Sequence, residues 1–525
     1  MNITLVVDSM PIFRFDVRVR MRDGVRLSTN ILLPDGGGPF PTVLIRSPYN
    51  VHGMISFLKA LVPRLGIAWV LQDARGRYNS GGETFRPFEE KLDTLDTIAW
   101  IQEQGWSDGD IHIFGPSYLG YVGLQVLGEA GVRTLFAPTT FSRPEEGLVY
   151  RDGVLHLHWA LPWSIMTSGR VQAPLDNING GWPDAFRQPL PQAVENLGWP
   201  DHVWRLFLTP PGDPLWDGFD ALGGGPFRTR VALVGGWYDF MLGSTLSTYE
   251  HLKARGGVRP DLILGPWSHN GYLQSQAGLG GFEFGEEGRG NVLSDFSGFL
   301  QREKAGAPPL TRAFIMRENR WMDLPSWPPQ TCEKRNFYLG ADGGLSDEPP
   351  KEGPHELEFE ADPEDPVPTL GGGVWEFKEP LTPGPADQRP LGDREDILRF
   401  HTQPLKEPLT LLGPLSTRLW VGAGAREAYF TAKLVLVEAD GCRRIVQDGV
   451  AVVENAMREP HLIEIDMLAI GLEVGKGEAI GLEISWANFP KYALPPLHGK
   501  TRQSVFSSED MPSHLSIPIM PRPGA

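Results

Sequence analysis

Three short stretches carry residue types that could perform nucleophilic catalysis together. The first is Gly115-Pro-Ser117-Tyr-Leu-Gly120, entered from the apolar run Ile111, Ile113, Phe114 and left through Tyr121-Val-Gly-Leu-Gln-Val-Leu-Gly128. A strand, a glycine-flanked turn with a serine at its tip, and then a helix make up the geometry of a nucleophile elbow. Small residues are required there because a backbone bent so sharply leaves no room for side chains beside the serine. The second stretch, Gly236-Trp-Tyr-Asp239, ends the apolar run that begins at Arg230, and the third, Gly265-Pro-Trp-Ser-His269, follows Asp261-Leu-Ile-Leu264. A serine hydroxyl is a weak nucleophile until a base accepts its proton. Imidazole titrates near neutrality and can do so, while a carboxylate can fix the imidazole tautomer and stabilise the imidazolium. Taken singly, Asp239 could cap the helix that follows it and His269 could be an ordinary loop histidine. Together, the order serine, acid, histidine at three strand ends is that of the α/β-hydrolase arrangement. Acyl transfer also needs donors aimed at the developing oxyanion. The backbone N–H of Tyr118, just after the serine, is one, and the second should come from the loop after an early strand, where Tyr49 sits.

Such loops meet only if a parallel sheet gathers its strand ends on one edge, where ligands bind in open α/β sheets. The chain supplies the elements. Alternation from Phe13 to Met21, with Phe13, Phe15, Val17, Val19 and Met21 on one face, and the turn Asp23-Gly24 predict a half-exposed antiparallel hairpin running to Leu33. Pro41–Ile45 and Ile67–Leu71 read as buried strands joined by a helix from Met54 to Leu65, the strand-helix-strand pattern of a parallel sheet. A helix between Phe88 and Glu103, with Leu92, Leu95, Ile98, Ala99 and Ile101 on its apolar face, delivers the chain to the serine strand, and Val132–Ala137 adds another. The loop Gln72-Asp73-Ala-Arg75-Gly76 is expected to be held structurally by an Asp73–Arg75 pair. From about Ser142 to Phe219 the alternation stops, and Trp159, Trp163, Trp182, Trp199, Trp204 and Trp216 appear instead. An aromatic-rich helical insertion of this kind suits a cap over a ligand pocket. His156 and His158 have no third ligand nearby and are expected at the surface or in capping roles.

The chain has 525 residues, which calls for more than one domain, and its formal net charge of -17 argues against nucleic acid or an anionic membrane as partner. A small-molecule substrate fits better. The two cysteines, Cys332 and Cys442, are far apart in no metal-like spacing. They are expected to be unpaired, and neither a metal nor a cofactor is expected. The N-terminus lacks a basic signal region and no apolar run reaches transmembrane length, so a cytoplasmic protein is expected. After about Thr331, strand-like runs such as Ala428–Val437, Arg444–Val453, His461–Ile465 and Ala479–Ser485 follow one another with no helical period between them, which predicts an all-β sandwich.

Gly115-Pro-Ser117-Tyr-Leu-Gly120, Gly236-Trp-Tyr-Asp239 and Gly265-Pro-Trp-Ser-His269 resemble the three catalytic motifs of the bacterial cocaine esterase family, which is related to α-amino acid ester hydrolases, glutaryl acylases and Xaa-Pro dipeptidyl-peptidases. Arg46-Ser-Pro-Tyr49 is similar to the segment whose tyrosine hydroxyl is the second oxyanion donor in that family, and Gln72-Asp73-Ala-Arg75-Gly76 to another of its signatures. The run from Glu364 to Gly372, Asp387–Pro390 and Ser485–Tyr492 resemble landmarks of the family's C-terminal β domain, for which the resemblance implies a jelly roll. The expected architecture is an α/β-hydrolase core at 1–143 and 223–330, a helical cap at 144–222, and the C-terminal β-sandwich at 331–525.

Relatives that select a free α-amino group carry acidic residues just after the triad aspartate, whereas here Asp239 is followed by Phe240-Met241-Leu242. A buried amine would lose its hydration there without gaining a partner. The expectation is a serine carboxylesterase working through an acyl-enzyme, with Ser117, His269 and Asp239 as triad and Tyr49 and Tyr118 as oxyanion donors. Its apolar pocket is expected to be lined in part by Trp163, Phe240 and Met241. The alternative is dipeptidyl-peptidase or amino-acid ester hydrolase activity with the same triad, which an acid from elsewhere in the cap or from a second subunit would favour. The sequence leaves open the natural ester, the choice between monomer and homodimer, and thermal stability.

Overall fold

The computed structural model describes residues 11–58, 65–172, 186–187, 193, 201–223, 227–257, 259–351, 355–376, 381–455, 457 and 459–521. A ten-stranded sheet organises the first part. In chain order its strands are β1 (Ile12–Arg20), β2 (Arg26–Leu33), β3 (Phe40–Ser47), β4 (Ala68–Asp73), β5 (Ser107–Phe114), β6 (Val132–Pro138), β7 (Arg230–Tyr238), β8 (Asp261–Ser268), β9 (Thr311–Ile315) and β10 (Arg320–Asp323). They lie side by side as β1-β2-β4-β3-β5-β6-β7-β8-β9-β10. The pairings from β4 through β9 are all parallel, so the C-terminal ends of β3, β5, β6, β7 and β8 open on one edge. Every residue of β4 and of β7 is buried, as expected for strands covered on both faces. Trp69, Phe114 and Phe136 each pack against Phe296 with ring centroids 5.1–6.0 Å apart, welding a helix, Val292–Lys304, to one face.

Several local expectations change in three dimensions. Phe13 and Phe15 are exposed while Val19 and Met21 are buried, because a bulge between Arg14 and Val17, with Asp16 at φ 53°, breaks the alternation of β1. Helix α1 (Val51–Leu58) starts earlier than its apolar pattern suggested, and residues 59–64 lie outside the described residues. In helix α2 (Lys91–Gln102), Leu92 is 54% exposed, and Asp93, Thr94 and Thr97 join Ile98 and Ile101 on the buried face. The polar members are inside because each has a polar partner there, Thr97 Oγ1 donating to Gln72 Oε1 at 2.9 Å. Arg46 reaches Thr94 Oγ1 at 2.6 Å and lies 3.8 Å from Asp93, and Arg75 pairs with Asp93 at 2.6 Å and with Asp23 at 2.7 Å. The expected Asp73–Arg75 pair is therefore absent. Asp73 sits at the buried end of β4, where its carboxylate accepts the Val51 N–H at 3.0 Å and helps start α1.

Two α-helices of the insertion are described, Leu157–Ser168 and Asp201–Phe207. Trp159, Trp163 and Trp216 are buried, whereas Trp182, Trp199 and the side chain of Trp204 lie outside the described residues. His156 and His158 are not at the surface: both are buried, because this part of the insertion packs against the C-terminal domain as well as the core. His158 Nδ1 lies 3.3 Å from the Lys491 carbonyl, and burial, assisted by the Lys491 charge, pushes its pKa down to about 3.

The C-terminal part is all β. One antiparallel sheet takes in Glu333–Leu339, Leu345–Ser346, His355–Ala361, Leu409–Ala423, His461–Val474, Thr501–Ser507 and His514–Ile519, and the other Ile397–His401, Glu427–Val437, Arg443–Glu454 and Ala479–Ser485. The domain is knitted to the core by Gln447, whose side-chain amide donates to the Trp237 carbonyl, and by Met316 N–H donating to Gly471 O at 3.0 Å. The stretch before Trp375 and Glu376 is pinned by Thr369 N–H to Phe489 O at 2.7 Å, and at Gly373 it comes against Asp239 and Phe240 just beyond the end of β7. Among the described residues, no helix is long and apolar enough to cross a membrane.

Candidate active site

Ser117 stands between β5 and the short helix Tyr118–Leu124 at φ 57°, ψ −129°. An L-residue adopts that conformation only when its surroundings force it. Here the forcing is visible. Ser117 N–H donates to Pro138 O at 2.8 Å, Thr140 Oγ1 donates to Ser117 O at 3.0 Å, and Gly120 N–H closes the turn onto Ser117 O at 2.9 Å. A side chain at Gly115 would run into the backbone of Leu119 and Gly120, and one at Gly120 into Thr140. Both glycines are therefore required by close approach rather than by their own dihedral angles.

Asp239 follows β7 and His269 follows β8, and the two meet: His269 Nδ1 lies 2.9 Å from Asp239 Oδ1. That oxygen also accepts the Met241 N–H at 2.9 Å, while Oδ2 has no hydrogen-bond partner among the described residues. Both side chains are buried. Burial disfavours the charged imidazole, but the Asp239 carboxylate, through its charge and its hydrogen bond, and the Glu376 charge outweigh that cost, so the His269 pKa lies above the ordinary histidine value. A proton on Nδ1 directed at Asp239 leaves Nε2 as the basic nitrogen.

Tyr49 follows β3. Its hydroxyl oxygen accepts the indole N–H of Trp163 at 2.6 Å, and burial pushes its pKa well above the ordinary phenol value. Since the indole can only donate, the Tyr49 proton is free to be given to another acceptor. Tyr118 contributes a first-turn N–H, which the geometry of a helix leaves without an intrahelical partner. The Tyr118 side chain is buried, with its hydroxyl oxygen accepting from Phe88 N–H at 2.8 Å.

These residues surround a cavity of about 310 Å³ at the edge where the parallel strands end, to which Tyr49, Ser117, Tyr118, Trp163, Phe240, Met241 and His269 all contribute. The volume sits at the small end of ligand pockets. Phe240 packs on His269 with ring centroids 4.6 Å apart and stacks against Trp159 at 6.1 Å, and Met241 Sδ lies 3.8 Å from Ser117 Oγ. No Asp, Glu, Lys or Arg lines the cavity among the described residues.

Sequence reasoning missed two contributions. Thr139 and Thr140 follow β6, and neither has a motif to announce it. Trp375, from the C-terminal domain, lines the cavity, and the carboxylate oxygens of its neighbour Glu376 accept the Asn270 N–H at 3.0 and 3.2 Å, beside His269. The glycine-rich run ending at Gly373 was the available signal, since Gly373 is where the domain's backbone comes against that of Asp239 and Phe240.

Comparison with known proteins places the chain in a family. The family profile of the X-Pro dipeptidyl-peptidases (S15 family) matches residues 23–271, and that of the X-Pro dipeptidyl-peptidase C-terminal non-catalytic domain matches residues 303–515. The chain is 31% identical to the cocaine esterase of a Rhodococcus species over 97% of this chain and 98% of that one. Among solved structures it is similar in fold to an aminopeptidase from a marine-sediment Thaumarchaeota archaeon, with TM-score 0.83, 22% identity and coverage of 99% and 98% of the two chains. An α-amino acid ester hydrolase shares the fold equally broadly, with TM-score 0.81, 22% identity and the same coverage. With its α/β N-terminal part, its all-β C-terminal part and this near full-length relative, the chain belongs to the cocaine esterase-like family of serine hydrolases.

Proposed function

We propose that the protein hydrolyses small carboxylic esters with an uncharged acyl group. Ser117 attacks the ester carbonyl, and His269 Nε2 takes its proton and delivers it to the departing alkoxide. Asp239 holds the imidazole and offsets its charge, and Tyr49 OH and Tyr118 N–H stabilise the oxyanion. Water, deprotonated by His269, then releases the acid. The observation that carries the reading is the cavity wall: beside the serine it is aromatic and aliphatic, and no charged side chain lines it among the described residues. An ammonium brought there would shed its hydration for nothing. Ester rather than amide cleavage follows from leaving-group reactivity, and the free thiols Cys332 and Cys442 fit a reducing cytoplasm.

A second reading, hydrolysis of amino-acid esters or Xaa-Pro dipeptides by the same triad, draws support from Glu376, a carboxylate held one residue beyond the Trp375 wall. The experiment compares p-nitrophenyl butyrate, a benzoyl ester, phenylglycine methyl ester and Gly-Pro-p-nitroanilide with wild type and Ser117→Ala. Turnover of the first two, falling on the order of 10⁶-fold in the variant, is expected. Preference for either amine-bearing substrate would establish the second reading, and undiminished activity in Ser117→Ala would overturn the mechanism.

A further inference from the structure

The segment leaving β6 holds the nucleophile at both of its backbone groups, through Pro138 O and Thr140 Oγ1. Thr139 lies between these two anchors, with its own N–H donating to Val234 O at 2.7 Å. Its φ is 51°, a left-handed conformation that β-branched residues avoid. The side chain is 2% exposed and lines the cavity, yet its hydroxyl has no hydrogen-bond partner among the described residues. The other threonines close by differ. Thr140 donates to Ser117 O at 3.0 Å, Thr245 to Thr140 O at 2.9 Å and Thr248 to Ser244 O at 2.8 Å. A buried hydroxyl left unpaired costs stability that valine of the same shape would recover, and a strained backbone adds to it. Such a combination beside a nucleophile points to a group kept for a ligand.

Topology says which part of the ligand. In the sheet, β3 lies on one side of β5 and β6 on the other, so Tyr49 and Thr139 flank Ser117 from opposite sides. In the tetrahedral intermediate the oxyanion points to Tyr49 and the Tyr118 N–H, and the alcohol oxygen points to His269, whose neighbours Asn270 and Trp375 also line the cavity. The direction that this assignment leaves for the acyl chain is toward the β6 and β7 strand ends, where Thr139, Phe240 and Met241 line the cavity.

We propose that Thr139 Oγ1 is a hydrogen-bonding point for the acyl chain, so that the preferred substrates are esters of short acids bearing a hydroxyl, alkoxy or keto oxygen a few bonds from the carbonyl. A hydroxyl both donates and accepts, so it serves each of these groups, whereas charged substituents find no counter-charge on the wall. The proposal rests on the esterase reading above and sharpens its acyl specificity.

The test compares p-nitrophenyl butyrate with p-nitrophenyl 3-hydroxybutyrate, each kcat/KM being corrected for the ester's rate with hydroxide. Wild type is expected to favour the hydroxy ester by roughly threefold to tenfold, the worth of one net hydrogen bond. Thr139→Ser keeps that preference. Thr139→Val and Thr139→Ala lose it, and Thr139→Val turns over butyrate faster than wild type while melting no lower. An equal ratio in wild type and either hydroxyl-free variant, or no preference in wild type, overturns the proposal even if one variant fails to fold. Failure of the esterase reading is distinct, because wild type would then turn over neither ester.

Discussion

Replacing Trp163 with phenylalanine keeps an aromatic ring in the cap and deletes the one N–H that meets the Tyr49 hydroxyl at 2.6 Å. If that indole aims the Tyr49 proton at the oxyanion, the variant should lose part of what Tyr49 contributes. Removing an oxyanion donor outright costs about 10²–10³ in kcat. Tyr49→Phe should therefore fall in that range, with KM little changed because the donor acts on charge that appears only in the transition state. Trp163→Phe loses one net hydrogen bond that orients the donor, about 0.5–1.5 kcal/mol, or roughly threefold to tenfold in kcat. The decisive comparison is the double-mutant cycle with p-nitrophenyl butyrate. In a Tyr49→Phe background no phenol remains to be aimed, so adding Trp163→Phe should cost almost nothing further in kcat. Trp163 also packs near Phe88, Tyr118 and Phe207, so the smaller ring will lower thermal stability in both backgrounds, and melting curves separate that loss from the kinetic one. Equal kcat losses in the presence and absence of the Tyr49 hydroxyl would refute the orienting role and leave Trp163 as a packing residue.

Two further outcomes follow from buried charges. In the proposed mechanism His269 is the base and must be neutral, so kcat/KM should fall as pH drops through its folded-state pKa, which the Asp239 and Glu376 charges raise against the effect of burial. The nearby His158, itself held neutral, adds no charge to oppose this. Glu376→Gln removes one of the raising charges and should move the acid limb of the pH profile to lower pH, whereas a Glu376 that only holds the Asn270 loop would lower activity evenly across pH. The same raised pKa contributes stability that is fully present below the unfolded-state value and is lost as pH rises through the folded-state value, which pH-dependent melting of wild type and Glu376→Gln would register. In the C-terminal domain, Lys491 is buried in an ion pair with Asp448, whose other oxygen accepts from Asn488 Nδ2 at 2.6 Å. Burial lowers the Lys491 pKa against the Asp448 attraction. Lys491→Met should destabilise by about 3–5 kcal/mol by stranding the Asp448 charge. A denaturation midpoint equal to wild type would refute this expectation.

The amino-acid sequence alone determined the elements whose signals are local. The glycines around Ser117 declare a sharp turn because the turn's own backbone excludes any larger residue, and apolar runs ending in Asp239 and His269 declare strands with functional groups at their tips. The chain order of those tips, together with the alternating elements between them, was enough to read an α/β sheet followed by an all-β domain. Pairings between distant segments left no such local trace. Arg75 beside Asp73 looks like a pair in sequence, but β4 buries Asp73 at the start of α1 and presents Arg75 to Asp93 and Asp23 instead. His156 and His158 look like surface residues until the insertion is packed against the C-terminal domain. The indole of Trp163 meets Tyr49 across 114 residues, Glu376 meets Asn270 across 106, and Thr139 stands unpaired beside the serine only because β6 lies next to β5. Turn chemistry and hydrophobic period act within a few residues and are written along the chain. Which donor faces which acceptor is decided by sheet order and domain packing, and so belongs to the tertiary structure.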